Sequence, residues 1–252
     1  MTTKTEQLKK DIAWLIRDKY AGDSTAAGIS QDILRLKAGE PLDYVIGWKE
    51  FLGCKIDLSK KPLIPREETE HWVEEVMKSK IRLGKSKVLD LFAGSGCIGV
   101  AILKHFPNTH VTFGEKDTKM IEQIKINLKL SKISPTRYKV YQSDVFSQIN
   151  SRYDYIFANP PYIAKKLAQK TQKSVIKWEP AEALWGGPDG LSFIKKFLKA
   201  VSIFLKNDGK IFMEFDHQQQ ESIKNLLKQL SYKNYTFHRD QFGRSRWVEI
   251  EK

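Results

Sequence analysis

Cysteine is scarce in this sequence, since only Cys54 and Cys97 occur among 252 residues. Their spacing matches no metal-binding pattern. A free thiol is among the most frequently buried side chains. We therefore expect two small, buried, reduced cysteines, as in a cytoplasmic protein, and no metal site.

Long apolar runs are also missing. No stretch approaches the roughly 20 apolar residues that a membrane-spanning helix needs. The first 20 residues mix charged and apolar side chains and lack the continuous apolar core of a secretory signal. Glu6 and Asp11 also argue against a transit peptide. We expect an amphipathic N-terminal helix, no association with a membrane and a cytoplasmic location.

Positive charge is in excess, because 43 Lys and Arg residues face 30 Asp and Glu residues, for a net charge of +13. A basic surface can attract RNA, a ribosome-bound partner or an acidic protein. The lysines are spread along the whole chain, which favours a general property of composition over a nucleic-acid site. One local cluster either borders a substrate groove or is a solvated loop. It comprises Lys165, Lys166, Lys170, Lys173 and Lys177.

The pattern of apolar residues divides the chain into three parts: a short helical region over 1–40, a hairpin with a linker helix over 41–80, and a larger domain over 81–252. Helical spacing predicts one helix around Leu15 and a second over 29–36, capped by Ser30 or a neighbour. The apolar segments 44–46 and 54–58, with Gly47 and Gly53 bracketing the turn between them, predict a β-hairpin. A helix over 67–77 then leads into the larger domain.

The larger domain alternates strands with helices, which is typical of a doubly wound α/β fold. Strands are predicted over 87–92, 110–114, 138–141, 153–158, 210–215, 235–239 and 246–250. Helices are predicted over 97–104, 118–130, 191–205 and 219–230. A closing hairpin after five wound strands indicates the Rossmann-like fold of S-adenosylmethionine (SAM)-dependent methyltransferases. That fold has a seven-stranded sheet with one antiparallel strand.

Residues 94–99 have the form Gly-x-Gly-x-x-Gly between a strand and a helix, where such a turn lets a cofactor lie against the backbone. NAD enzymes share this form. Asp90 favours SAM over NAD, because a carboxylate there attracts the cationic end of SAM and repels a pyrophosphate. The residues predicted to contact the cofactor at this turn are Asp90, Phe92, Ala93, Gly94 and Gly96.

Acidic residues also follow the next two strands. Glu115 lies nineteen positions after Gly96, where a carboxylate that binds the ribose belongs. Asp117 is a competitor, although it resembles the cap of the next helix. Asp144 follows the third strand and is predicted to accept a hydrogen bond from the adenine amino group, unless it is an ordinary turn residue. Val145 is predicted to wall the adenine ring together with Phe146.

The most specific segment is Asn159-Pro160-Pro161-Tyr162, here called the NPPY loop, at the end of the fourth strand. Two consecutive prolines fix the backbone and have no N–H to donate. The Asn159 side-chain oxygen and the Pro160 carbonyl can therefore accept both hydrogens of a planar NH₂ group, while Tyr162 packs against it. Asn159 is also predicted to contact the cofactor. This grip orients an amide or amino nitrogen for methyl transfer without a metal or a covalent intermediate.

Five segments together resemble the protein glutamine N5-methyltransferases of the HemK/PrmC type, which modify peptide chain release factors. They are residues 41–47, 63–70, 90–99, 157–163 and 179–191. The resemblance implies SAM as cofactor and, as substrate, the glutamine of a release factor's Gly-Gly-Gln loop, held by Asn159 and Pro160. It also implies that Arg66, Glu68 and Thr69 shape the substrate cleft.

The chain departs from the family pattern in two places. Glu67 replaces the usual proline, and the region before Pro41 is shorter than the family's helical bundle. We expect a monomer. The alternative is an adenine N6-methyltransferase that acts on DNA or RNA through the same NPPY motif. No separate base-recognition region supports that alternative, and segment 179–191 favours the protein-modifying family.

Overall fold

The computed structural model describes residues 4–79 and 83–251, so the predicted boundary between 80 and 81 lies outside the described residues. The strands are β1 (Trp48–Phe51), β2 (Cys54–Asp57), β3 (Lys87–Leu91), β4 (His110–Glu115), β5 (Tyr138–Gln142), β6 (Tyr153–Ala158), β7 (Leu205–Glu214), β8 (Asn234–Arg239) and β9 (Ser245–Glu251). The α-helices are α1 (Lys4–Tyr20), α2 (Ile29–Lys37), α3 (Leu42–Ile46), α4 (Glu67–Lys78), α5 (Cys97–His105), α6 (Thr118–Leu130), α7 (Lys173–Trp178), α8 (Ala181–Leu184), α9 (Ser192–Ala200) and α10 (Gln220–Gln229).

Seven strands form the main sheet, in the order β5-β4-β3-β6-β7-β9-β8. The first five are parallel to one another, and β9 is antiparallel to both of its neighbours. Alternate residues of β3 enter two different hydrophobic cores, Val88 on one face and Leu89 and Leu91 on the other. This confirms the predicted Rossmann-like α/β fold with one antiparallel strand. The division into three parts stays a prediction.

The prediction of a strand over 44–46 is wrong, because these residues belong to α3, which ends at Gly47 with φ at 93°. Val45 is fully buried against Leu15 and Leu36, so packing with the other two N-terminal helices outweighs the local preference for a strand. The first strand of the hairpin is β1 instead, and Gly53 lies in its turn. Ser30 is not the cap of α2, which begins after Gly28 without a side-chain cap.

The hairpin β1–β2 and helix α4 cover one face of the main sheet. Phe51, Ile56 and Trp72 are fully buried in the same core as β3. Asn127 of α6 links the hairpin to the domain, since its Oδ1 accepts a hydrogen bond from the Asp57 N–H at 2.7 Å. None of the helices described in 4–79 and 83–251 has the length and apolarity to cross a bilayer.

A buried carboxylate on β3 is hydrogen-bonded to the first turn of α5. Asp90, only 1% exposed, accepts a hydrogen bond from the Gly99 N–H at 2.9 Å. Burial raises the pKa of Asp90 to about 8, and the Gly99 N–H partly opposes this shift. A buried acid therefore fastens the start of this helix to the sheet.

This pKa predicts how stability depends on pH. An unfolded aspartate has a pKa near 3.9, so between about pH 4 and pH 8 the folded state keeps a proton that the unfolded state has lost. Asp90 therefore lowers the free energy of unfolding as the pH rises, by up to about 1.4 kcal/mol per pH unit. The free energy of unfolding can be measured in urea at pH 5 and at pH 8. Between these two pH values, we expect wild type to lose more of it than Asp90→Asn does. Exposed Asp208→Asn is the control; equal losses in Asp90→Asn and wild type would contradict the assignment.

Candidate functional site

A cavity of about 360 Å³ opens at the carboxyl ends of the parallel strands. Four residues that line it lie at or just after the ends of β3, β4, β5 and β6 in turn: Gly94, Glu115, Asp144 and Asn159. In open α/β sheets, ligands bind at this edge, where neighbouring strands lead their helices to opposite faces. The structure therefore brings four sequence-predicted site residues from four separate segments to one cavity.

Only some of the residues in and before the glycine turn (94–99) line this cavity. Phe92 and Gly94 line the cavity. A Cβ added to Gly94 would meet no heavy atom within 4 Å, so the backbone here borders open space that a ligand can occupy. Ala93 and Gly96 do not line the cavity; the Ala93 N–H bonds the Gly114 carbonyl, and Gly96 precedes α5.

Asp90 also lies below the turn and is absent from the cavity wall. Its contact is the Gly99 N–H, so its predicted direct contact with a cofactor stays a prediction. From this position Asp90 acts on the cavity by fixing the glycine turn and the start of α5.

Glu115 lines the cavity and also organises the loops beside it. Its Oε2 accepts a hydrogen bond from Gly94 N–H at 2.8 Å, and its Oε1 accepts from Lys116 N–H at 2.7 Å and from Asp117 N–H at 2.9 Å. Burial raises the pKa of Glu115, and the three N–H groups partly offset that effect. Asp117 caps α6 by accepting from Lys119 N–H at 2.8 Å, which confirms its predicted capping position.

Asp144 and Val145 line the cavity beside Glu115, and Val145 adopts a left-handed backbone with φ at 54°. Lys116 Nζ lies 3.7 Å from the Asp144 carboxylate, on the exposed side. Phe146 does not line the cavity, since its ring stacks on Phe204 in the hydrophobic core at 4.3 Å between ring centroids, so its predicted contact with the adenine ring stays a prediction. The aromatic residues that line the cavity are Phe92, which was predicted, and Trp185 and Phe193, which sequence reasoning missed.

The NPPY loop presents Asn159 and Pro161 to the cavity. A second segment closes behind it, since a Cβ on Gly186 would lie 2.5 Å from the Pro161 carbonyl oxygen and one on Gly190 would lie 2.3 Å from that of Tyr162. Only glycine permits these approaches. The Gln219 amide also donates to the Tyr162 carbonyl at 2.9 Å. The loop is therefore braced by backbone on its far side.

Tyr162 does not line this cavity, because its side chain turns towards a buried carboxylate. Its hydroxyl donates to Oε1 of Glu214 at 2.9 Å. The other carboxylate oxygen, Oε2, accepts from the Thr69 hydroxyl and from the Trp72 indole N–H, each at 2.7 Å. Thr69 in turn lies 3.4 Å from the Asn159 amide nitrogen. We call Glu214, Thr69, Trp72 and Tyr162 the Glu214 cluster.

Sequence reasoning missed Glu214, although its position carried a signal. It is a charged residue at the end of β7, directly after three apolar residues, and it is only 1% exposed. Such a group must find hydrogen-bond partners. Burial raises the pKa of Glu214, while its bonds from Thr69, Trp72 and Tyr162 oppose that shift.

Arg66 and Glu179 form a second link beside the cavity. An Arg66 guanidinium nitrogen donates to Glu179 Oε1 at 2.6 Å, and the Ile64 N–H donates to Oε2 at 3.1 Å. Leu63, which precedes Ile64, and Pro180, which follows Glu179, line the cavity. Glu68 is half-buried in the first turn of α4. Segments 63–70 and 179–185 are thereby joined as one wall.

The lysine cluster lies on short helices rather than in an irregular loop, over Lys165–Lys170 and Lys173–Trp178. Lys165 lines the cavity, whereas the side chain of Lys170 lies outside the described residues. The side chains of Lys166, Lys173 and Lys177 are exposed. Across the described part of the chain, no group of three or more His, Cys, Asp or Glu side chains is placed to hold a metal ion.

The cavity at the carboxyl ends of the parallel strands has the features that a nucleoside cofactor needs. Open space beside Gly94, a half-buried carboxylate at Glu115 and an apolar wall at Val145 and Phe193 suit a ribose and a flat base. Asn159 adds an amide to the same cavity. The site can therefore hold a cofactor and present a planar polar group to it.

Known proteins show the same fold. The sequence model of the family described as methyltransferase small domain matches residues 70–184. The solved structure of a methyltransferase from Pyrococcus furiosus superposes with a TM-score of 0.58 at 18% identity, covering 90% of this chain and 98% of that one. A Thermus thermophilus 16S rRNA methyltransferase in complex with AdoMet and guanosine gives a TM-score of 0.58 at 16% identity, covering 81% of this chain and 49% of that one.

Sequence relatives are more specific. The release factor glutamine methyltransferase of Thermodesulfovibrio yellowstonii is 34% identical over 221 residues, which cover 86% of this chain and 78% of the relative. The enzyme of that name from Streptococcus pneumoniae is 32% identical over 242 residues, which cover 96% of this chain and 85% of the relative. The chain therefore belongs to the release factor glutamine methyltransferase family of SAM-dependent methyltransferases.

Proposed function

We propose that this protein transfers a methyl group from SAM to the side-chain amide nitrogen (N5) of the glutamine in the Gly-Gly-Gln loop of a peptide chain release factor. The observation that carries the proposal is that Asn159 and Pro161 line the same cavity as Gly94 and Glu115. The names of the relatives support the release factor as substrate.

The cofactor half of the cavity is formed by Phe92, Gly94, Glu115, Asp144 and Val145. SAM supplies a methyl group that its sulfonium has already activated. Glu115 accepts from the ribose and Asp144 from the adenine amino group, while Phe92 and Val145 exclude water. Asp90, Ala93 and Gly96 hold the glycine turn in shape, and Asn159 borders the cofactor from the substrate side.

The substrate half depends on the NPPY loop. An amide nitrogen is a weak nucleophile because its lone pair is delocalised. Asn159 Oδ1 and the Pro160 carbonyl accept its two N–H groups, which fixes the nitrogen and favours the positive charge that develops on it. Pro161 walls the amide, and Tyr162 fixes the loop. Arg66, Glu68 and Thr69 shape the wall beside it.

The protein would act as a monomer in the cytoplasm, where release factors act. Residues 81–252 would act as the methyltransferase domain. Region 1–40 would be a short helical region, and region 41–80 a hairpin with a linker helix that borders the substrate.

Label transfer tests this function. With SAM carrying a labelled methyl group, we expect label on the release factor, and none once its Gly-Gly-Gln glutamine is replaced. DNA and RNA are offered in parallel reactions. Labelling of adenine alone would overturn the proposal in favour of a nucleic-acid methyltransferase.

Asn159→Ala tests the amide grip. Loss of an acceptor that acts in the transition state should lower kcat by roughly 100-fold or more. The Kd for SAM should change by only a few-fold, because the cofactor has other contacts. The matched control is Asn150→Ala, an exposed asparagine. Turnover of Asn159→Ala near the wild-type rate would rule out the grip.

Glu115→Ala tests the ribose assignment. Removing a half-buried acceptor that also anchors Gly94 should raise the Kd for SAM by about tenfold or more, as measured by calorimetry. Asp117→Ala, which removes a helix cap, should instead lower stability by about 1 kcal/mol. If Asp117→Ala weakened SAM binding and Glu115→Ala did not, the two roles would have to be exchanged.

A further inference from the structure

We infer that Glu214 is a positioning residue that fixes the orientation of the Asn159 side-chain amide, acting through the hydroxyl of Thr69. The inference rests on the proposed function, because the orientation matters only if Asn159 Oδ1 accepts from the substrate. It assigns a task to a buried carboxylate that the chemistry of methyl transfer does not itself require.

The argument starts at Trp72, whose indole nitrogen can only donate a hydrogen bond. It donates to Glu214 Oε2 at 2.7 Å, so this oxygen must be an acceptor. A proton on Glu214, when present, would lie on Oε1, which faces the Tyr162 hydroxyl at 2.9 Å. Oε2 is therefore an acceptor whether the carboxyl group is ionised or neutral.

The oxygen of the Thr69 hydroxyl lies 2.7 Å from Glu214 Oε2. Since Oε2 has no hydrogen to give, Thr69 must donate its single hydrogen to Glu214. The lone pairs of Thr69 Oγ1 remain, so any polar group of Asn159 that bonds this oxygen must be a donor. The Asn159 group that faces Thr69, at 3.4 Å, is thereby fixed as NH₂.

The consequence appears at the cavity. An amide that points its NH₂ group at Thr69 directs its Oδ1 away from Thr69, and Oδ1 is the atom that a substrate NH₂ group needs as an acceptor. A reversed amide would present two hydrogens to a substrate that also presents hydrogens. The direction of hydrogen bonding thus runs from Asn159 to Thr69 to Glu214.

The burial of the cluster keeps this order in place. Glu214 is 1% and Thr69 is 3% exposed, so water cannot readily replace either partner. The cluster also joins three elements, because α4 carries Thr69 and Trp72, β7 carries Glu214 and the NPPY loop carries Tyr162.

Steady-state kinetics on the full chain with a release factor test the inference. Thr69→Val keeps the shape but removes the hydroxyl, and it should lower kcat by about tenfold or more. The KM for release factor and the Kd for SAM should change less than about threefold, because most binding contacts remain. Thr69→Ser restores a hydroxyl and should keep at least about fivefold more kcat than Thr69→Val.

Two variants test Glu214 itself. Glu214→Met removes the acceptor and should lower kcat like Thr69→Val, whereas Glu214→Gln can still turn its carbonyl oxygen towards Trp72 and Thr69. We therefore expect Glu214→Gln to keep at least about fivefold more kcat than Glu214→Met. In the Thr69→Val background, Glu214→Met should cost much less than in wild type, because the two residues act in series.

The matched control is Asp32→Asn in the N-terminal helices. Asp32 is also buried and also accepts from a tyrosine hydroxyl, that of Tyr20 at 2.7 Å, but Tyr20 packs against a separate hydrophobic cluster. Its substitution should lower stability and leave kcat unchanged. If Glu214→Met does not fold, the inference is tested by the kcat of Thr69→Val compared with that of Thr69→Ser.

A readout without substrate separates this inference from the proposed function. The ¹⁵N–¹H resonances of the Asn159 side chain, identified by their loss in Asn159→Ala, should shift in Thr69→Val and stay in place in Asp32→Asn. A wild-type enzyme that labels no release factor would refute the function alone. Any of three results would overturn the inference. The Asn159 resonances could stay unshifted in Thr69→Val, kcat of Thr69→Val could lie within twofold of wild type, or the effects of Thr69→Val and Glu214→Met could be fully additive.

Discussion

The parallel pairing of β3 with both β4 and β6 is the constraint on which the site depends. It places the ends of neighbouring strands at one edge, so Gly94, Glu115 and Asn159 meet although they lie far apart in the sequence. Cofactor and substrate groups can then share one cavity without any movement of the sheet. The rigidity of paired strands suits a reaction that depends on the position of a single nitrogen.

The walls of the cavity are then fixed by buried and half-buried polar links between distant segments. Glu115 fastens the glycine turn to the end of β4, and Glu179 joins the segments before α4 and before α8 through Arg66. Glu214 connects α4, β7 and the NPPY loop. Because each carboxylate has several donors, removing one would leave buried groups unpaired, which costs far more than an exposed ion pair contributes.

Much of this could be predicted from the sequence, because strands and helices of the larger domain follow strong local patterns. The segments 118–130 and 153–158 were predicted with the bounds that the structure has. Segment 44–46 was not, since its helix is stabilised by contacts of Val45 with two helices earlier in the chain. The hydrogen-bond partners of Glu214 include Thr69, which lies 145 positions earlier in the sequence. Such long-range contacts leave no local pattern in the sequence from which they could be predicted.

The central claim is that the NPPY loop grips a primary amide with Asn159 held in one orientation. A crystal structure of the chain with S-adenosylhomocysteine and a glutamine-containing release factor peptide tests it most directly. The account predicts the glutamine amide nitrogen within about 3.2 Å of both Asn159 Oδ1 and the Pro160 carbonyl oxygen, with the Asn159 NH₂ group on Thr69. A glutamine amide bound away from these two oxygens would contradict it.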